Sequence, residues 1–151
     1  MTIHRPLTSF AIAAVTAVVS LTPANATNIE RIVSPGGIEA WLPESIEAAL
    51  RAERGRLASL SIALVSNATI ARLNRRFLAH RGPTDVISFT LPGPAGDAGD
   101  IYIAPAVARA AAAALKISAR EEVLRLVVHG VLHVLGHDHA AGEARLRSPM
   151  W

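Results

Sequence analysis

Cysteine is absent from this chain of 151 residues. That excludes a disulfide framework and any thiolate metal site, so a bound metal must be held by nitrogen and oxygen. Aromatic residues are scarce, at 4%, and the core must therefore be built from Ala, Val, Leu and Ile. Charged residues reach only 18% against 51% hydrophobic, which excludes an intrinsically disordered polyelectrolyte. Lysine is nearly missing, since fourteen of the fifteen basic residues are arginines. Internal repeats and long linkers are missing too. A chain of this length holds one domain with a real core and not two comfortable ones.

The N-terminus has its own character. Arg5 is the only full charge in residues 1–26, an apolar run extends from Phe10 to Leu21, and Ala24-Asn25-Ala26 resembles a small-residue cleavage site. The run is too short for a stable membrane-spanning helix. Its layout matches a secretory signal peptide, with an upstream mis-assigned start or an apolar extension packed on the domain as the competing readings. The chain divides accordingly into residues 1–26, a signal peptide or N-terminal extension, and 27–151, the domain.

Formal net charge is +3, with a pI of about 10.5. The charge is unevenly spread. Arg51, Arg54, Arg56, Arg72, Arg75, Arg76 and Arg81 face only Glu53 between positions 51 and 81. Such a surplus suits a polyanion, because guanidinium forks match phosphate oxygens in pairs and release counterions on binding. Arginines decorating solvated helix faces account for it equally well.

Along the chain, Ile29 to Val33 reads as a first strand, followed by the turn Ser34-Pro35-Gly36-Gly37. Ile46, Ala49 and Leu50 fall at helical spacing within Pro43 to Glu53, ahead of Gly55. Leu60 to Val65 has the length and composition of a buried strand. Ser66 or Asn67 can cap a helix that runs to about Leu78 with Ile70, Leu73 and Phe77 inward. Strands are expected at Val86 to Phe89 and Asp100 to Ala104, joined by a mobile Gly/Pro loop from Pro92 to Gly99. An alanine-rich helix follows from Pro105 to about Leu115. Ser118 and Glu121 then form a capping box that opens a last helix, apolar through Val123, Leu124, Val127, Val128, Val131 and Leu132. The expected architecture is a single α+β (α/β-like) domain, with about four strands in a mixed sheet packed with helices.

That last helix carries the most informative stretch, His129-Gly-Val-Leu-His133-Val-Leu-Gly136-His137-Asp138-His139. Histidines at i and i+4 project from one face, and Gly136 can end the helix so that His139 arrives as a third ligand. Three imidazoles on zinc leave one tetrahedral position open, where water can be activated. One buried histidine is usually a hydrogen-bonded core residue, and a pair arises by chance. Three with a glycine at these offsets are far harder to produce by accident. The offsets are those of the metzincin pattern H-E-x-x-H-x-x-G-x-x-H, a zincin-like three-histidine site on a helix and the following turn. Gly130 stands where a zinc protease carries its glutamate base. An exported metallopeptidase is therefore a weak reading despite the matching ligand spacing.

The histidine stretch closely resembles the signature of the YbeY family of bacterial endoribonucleases. Leu73-Asn74 followed by Pro83-Thr84-Asp85-Val86-Ile87-Ser88-Phe89 resembles that family's central motif, and Gly99-Asp100-Ile101 its next strand. The similarity runs from about Ile29 to the C-terminus. It implies a single-zinc, single-strand-specific endoribonuclease of the cytoplasm that matures the 16S ribosomal RNA 3′ end and serves ribosome quality control. Its partners would be ribosomal RNA and the small ribosomal subunit. His129, His133 and His139 then occupy the metal-ligand positions, with Asp138 as an outer acceptor for a ligand imidazole or a group acting on metal-bound water. His137 stands at a variable position of the signature.

Arg72, Arg75, Arg76 and Arg81 are the candidates for RNA backbone contacts. Ser88 and Asp85 lie on or beside the strand expected along the cleft, and Thr84-Asp85 better suits shaping the turn into it. Leu78 stands where the family usually carries an arginine implicated in activity, which opens the alternative of a catalytically weakened RNA- or ribosome-binding metal protein. Ser148-Pro149-Met150-Trp151 ends the chain where relatives continue through a final helix.

Overall fold

The computed structural model describes residues 57–94 and 96–138 in full. It also describes the backbone of residues 3–4, 15–21 and 30–31 and the helical residues Ile46, Ala48, Ala49 and Ala52. The turn expected at 34–37, the Ala24 to Ala26 site, His139 and the C-terminal Ser148 to Trp151 lie outside the described residues.

The elements in chain order are β1 (Ile3–His4), β2 (Val15–Leu21), β3 (Glu30–Arg31), β4 (Ser59–Val65), α1 (Asn67–Leu78), β5 (Val86–Leu91), β6 (Ala98–Ile103), α2 (Pro105–Leu115) and α3 (Ala119–Val134). At the centre is a mixed three-stranded sheet, with β5 antiparallel to β6 and β6 parallel to β4. β1 adds parallel to β5 at one edge, and β2 adds antiparallel to β4 at the other, followed by β3. The order is β1-β5-β6-β4-β2-β3. The α+β expectation holds. The strand number does not match the expected four, because the segments at Ile3–His4 and Val15–Leu21 also pair with the sheet.

Local sequence explains most boundaries. The Ser66 side chain accepts from the Thr69 N–H at the start of α1, and Pro105 opens α2, where its missing N–H costs nothing. Ser118 and Glu121 make both bonds of a capping box. The Glu121 N–H donates to Ser118 Oγ at 3.1 Å, and the Ser118 N–H donates to Glu121 Oε2 at 2.8 Å. Those bonds hold the Glu121 carboxyl below its ordinary range. The connection from β5 to β6 is shorter than the expected mobile loop. Gly96 N–H donates to Gly93 O, Asp97 O accepts from the Ala58 N–H, and Ala98 and Gly99 already belong to β6.

The sheet separates two cores. On one face Leu60, Ile62, Leu64, Ile101 and Ile103 pack with Val123, Leu126, Val127, Val131 and Val134 of α3. On the other, Ala63, Val65, Ile87 and Phe89 pack with Ile70 of α1, joined by the half-buried Leu73, Phe77, Leu78 and Tyr102. The alternation along β5 and β6 produces this separation, since successive side chains point to opposite faces. Leu126 is buried on α3 where the sequence pattern favoured Leu124, which is only half-buried.

Candidate metal site on helix α3

His129 and His133 lie one turn apart on α3, with their Nε2 atoms 3.2 Å apart. The rings meet edge to face at 86°, with centroids 4.6 Å apart. Two nitrogens each about 2.0–2.1 Å from one tetrahedral ion stand roughly 3.3–3.4 Å apart, so the pair fits two ligand positions on zinc. The same separation suits a hydrogen bond in which one neutral ring donates to the other. His133 is 7% exposed and His129 half-buried. Among the described residues no third ligating side chain joins them, and His139, the third expected ligand, lies outside that set. His137 and Asp138 are exposed on the turn after α3.

The position of α3 on the sheet depends on two glycines. A Cβ at Gly130 would lie 2.9 Å from Ile101 Cγ2 and 3.0 Å from its Cδ1. A Cβ at Gly99 would lie 2.7 Å from Val134 Cγ1 and 2.8 Å from Leu60 Cδ1. Both are below ordinary carbon contact distances, so α3 lies as close to β6 as it does only because these side chains are absent. Gly130 thus has a steric role beyond the missing carboxylate noted from sequence. No glutamate fits at position 130 in this packing. The available signal was a glycine inside a helix, where it costs about 1 kcal/mol relative to alanine and so points to a close approach.

The end of α3 is closed carbonyl by carbonyl. Val131 O accepts from the Leu135 N–H, Leu132 O from the His137 N–H and His133 O from the Gly136 N–H, each at 3.0 Å. Gly136 has φ +94°, the left-handed conformation that this closure requires. Val134 O accepts the hydroxyl of Thr90 at 3.0 Å, from across the fold. Sequence reading missed Thr90, because nothing in a strand pattern shows which hydroxyl meets a helix end.

The other candidates fall elsewhere. Arg72, Arg75 and Arg76 are exposed on α1, which packs on the sheet face opposite α3, and Arg81 is exposed on the segment joining α1 to β5. Arg72 reaches back to Thr69 Oγ1 at 3.4 Å, and the Arg76 guanidinium lies 5.5 Å from the centre of the Phe77 ring. Asn74, buried in α1, donates from Nδ2 to Gly82 O at 2.9 Å and so fixes that joining segment. Asp85 Oδ1 accepts from Thr84 Oγ1 and from the Val86 N–H, and Asp85 O accepts from the Ala104 N–H. These bonds shape the entry into β5. Ser88 pairs with Ile101, which places it on the sheet face that α3 covers.

On the opposite face, burial pushes the Asp100 carboxyl above its usual range, partly offset by a hydrogen bond with Ser61. Burial, followed by repulsion from Asp100, pushes the Tyr102 phenol up to about 12.

Comparison with known proteins identifies the family of the chain. The family model described as Endoribonuclease YbeY matches residues 24–148. A protein of that name from Bifidobacterium animalis subsp. lactis is 44% identical over 93 residues, covering 56% of this chain and 51% of the relative. Another from Clavibacter michiganensis subsp. michiganensis is 40% identical over 93 residues, covering 55% of this chain and 61% of the relative. A solution structure from Thermotoga maritima is 30% identical, covers 68% of this chain and 67% of that one, and has a TM-score of 0.44. The matched regions span about half to three-fifths of these curated relatives. With the model matching most of its length, the chain belongs to the YbeY family.

Proposed function

We propose that this chain is a zinc-dependent endoribonuclease specific for single-stranded RNA, acting in the cytoplasm on ribosomal RNA of the small subunit. Its tasks are maturation of the 16S 3′ end and ribosome quality control. The observation that carries the reading is the convergence of His129 and His133 at 3.2 Å, on a helix whose position 130 has no space for a protease base. His139 completes the ligand set in this proposal. The curated relatives are named as endoribonucleases, which favours RNA over peptide as substrate. No described helix is long and apolar enough to cross a membrane.

Each neutral imidazole would present one nitrogen lone pair to the ion. Bound zinc supplies Lewis acidity, which raises the acidity of water and offsets charge building on the scissile phosphate. The apolar side chains of α3 exclude solvent behind the histidines. Asp138, exposed on the following turn, is the candidate to orient a ligand ring. Arg72, Arg75, Arg76 and Arg81 offer guanidinium groups to the RNA backbone, with Arg81 on the segment that enters β5.

Elemental analysis of the purified protein, paired with RNA cleavage with and without chelator, tests the reading. His129→Ala and His133→Ala are expected to lose both bound metal and cleavage. Chelator-sensitive cleavage retained by the double variant overturns it. A second reading, a catalytically weakened RNA- or ribosome-binding metal protein, draws on Leu78. That side chain packs against the apolar cluster around Phe89, where the family's arginine is expected. Cleavage by the wild type that Leu78→Arg does not increase counts against this second reading.

A further inference from the structure

We propose that Thr90 is a positioning residue for the metal site, acting through the end of α3; the inference rests on the metal-site reading above. Thr90 is 2% exposed in the middle of the fold, and its hydroxyl donates to Val134 O, 44 positions away in sequence. Val134 directly follows His133 and is the last residue of α3. The four final carbonyls of a helix have no partner inside it. Here three are closed by the local turn through Gly136, which needs no help from the rest of the protein. The Thr90 bond differs in kind, because it ties this helix end to the sheet.

The register makes the tie specific. Thr90 pairs with Gly99 across β5 and β6, so both occupy the face that α3 covers. Val134 sits in the space left by Gly99 while its carbonyl takes the Thr90 hydroxyl. A side-chain contact and a hydrogen bond from two adjacent strands thereby fix one residue in both distance and orientation. His133 lies immediately before that residue, and the turn leading to His139 begins immediately after it. Loss of the hydroxyl strands a buried carbonyl, which then turns to find another partner. The helix end is free to move relative to β5, and the separation between the histidine pair and the following turn becomes variable. Metal-binding constellations lose affinity when the groups that hold their ligands are removed, by about 10–100-fold in known cases.

Thr90→Val preserves shape and removes the hydroxyl, and Thr90→Ser keeps the hydroxyl. Two measurements decide. In metal-free protein, amide hydrogen exchange at Gly136 and His137 is expected to quicken about tenfold in Thr90→Val relative to exchange at Val127, and to return to wild-type values in Thr90→Ser. In titrations with Co2+ or Zn2+, the Kd is expected to rise about tenfold in Thr90→Val and to recover in Thr90→Ser. Exchange that rises uniformly along α3, or not at all, overturns the inference, as does an unchanged Kd in a protein that binds metal. A wild type that binds no metal defeats the proposed function instead, and the exchange comparison then decides the Thr90 inference alone. Thr90→Ala provides the same comparison if the valine variant does not fold.

Discussion

Gly130→Ala sets two known effects of opposite sign against each other. In an exposed helix, replacing glycine with alanine stabilises by about 1 kcal/mol through backbone entropy. At position 130 the added Cβ lies 2.9 Å from Ile101 Cγ2, 3.0 Å from Cδ1 and 3.3 Å from Cγ1. Relaxed carbon contacts are about 3.5–4.0 Å, so the helix or the strand must give way by roughly half an ångström. Ile101 is 1% exposed on the middle strand of the sheet's three-stranded centre, and its Cγ2 is fixed to a branched Cβ with little freedom to swing aside. Overpacking of this kind costs about 1–3 kcal/mol. The steric term wins, leaving a net loss of about 1 kcal/mol or somewhat more. For a chain of this size that lowers Tm by about 2–4 °C per kcal/mol.

Urea or thermal unfolding followed by circular dichroism measures the net effect, and a double-mutant cycle with Ile101→Ala isolates its cause. Ile101→Ala alone should cost about 2–5 kcal/mol through the cavity it leaves. The methyl added at position 130 then enters space already empty, so the two changes together should cost less than their sum, by about 0.5–3 kcal/mol. An alanine at 130 that raises stability by about 1 kcal/mol, with no coupling to Ile101, refutes the close approach of α3 to β6. It also refutes the explanation of why no glutamate fits there.

Other expected outcomes follow from the same contacts. Tyr102 is the only tyrosine, so phenolate absorbance reports it directly, and in the folded protein it should titrate near 12 and somewhat lower in Asp100→Asn. A midpoint near 10 in folded protein contradicts its burial. The Asp100 carboxyl is raised on folding, so its contribution to stability is full below its unfolded pKa and falls away as pH rises through the folded one. Asp100→Asn should therefore raise Tm at neutral pH and lose that advantage in acid. The Glu121 carboxyl is lowered, so its contribution is present above the unfolded pKa and shrinks as pH falls through the folded value. Glu121→Gln should consequently approach wild-type stability in acid. Ser118→Ala, which removes the other half of the capping box, should cost about 0.5–2 kcal/mol in unfolding experiments, with no added loss in Glu121→Gln if the two residues act as one unit.

The helices were the most legible part of the sequence because their signals are local. Ser66, Pro105 and Ser118 with Glu121 act within a single turn, and each marks an observed helix start. The strands of the sheet's centre were recognisable as short apolar runs, and β5 extends two residues past Phe89 to Leu91. Pairing partners are not local, so the addition of Val15–Leu21 to β4 could not be read from an apolar run that equally suits a leader. The i, i+4 histidine pair was legible for the same reason as the caps: one helix sets both side chains. What holds that helix in place was not, because Thr90 and Gly99 acquire their roles only through the pairing of β5 with β6 and the packing of α3 upon them.

The dependence of the site on the fold runs in one direction. The apolar face of α3 through Val123, Leu126, Val127, Val131 and Val134 is buried in the described structure by contacts that involve neither histidine. Burial of side chains such as these contributes about 1.5–3 kcal/mol each before entropy is set against it. The apolar packing of α3 is therefore a source of stability separate from metal ligation, unlike small zinc folds in which ligation supplies the folding energy. The Nε2 atoms of His129 and His133 are brought within 3.2 Å by a helix that the sheet already holds, so part of the ordering that the proposed metal binding would require is done in advance. In the proposed site the third ligand, His139, is the part of the set that α3 itself does not supply. On the metal-site proposal, a change at the junction between α3 and the following turn, where Val134 meets Thr90 and Gly99, weakens metal affinity without removing a ligand.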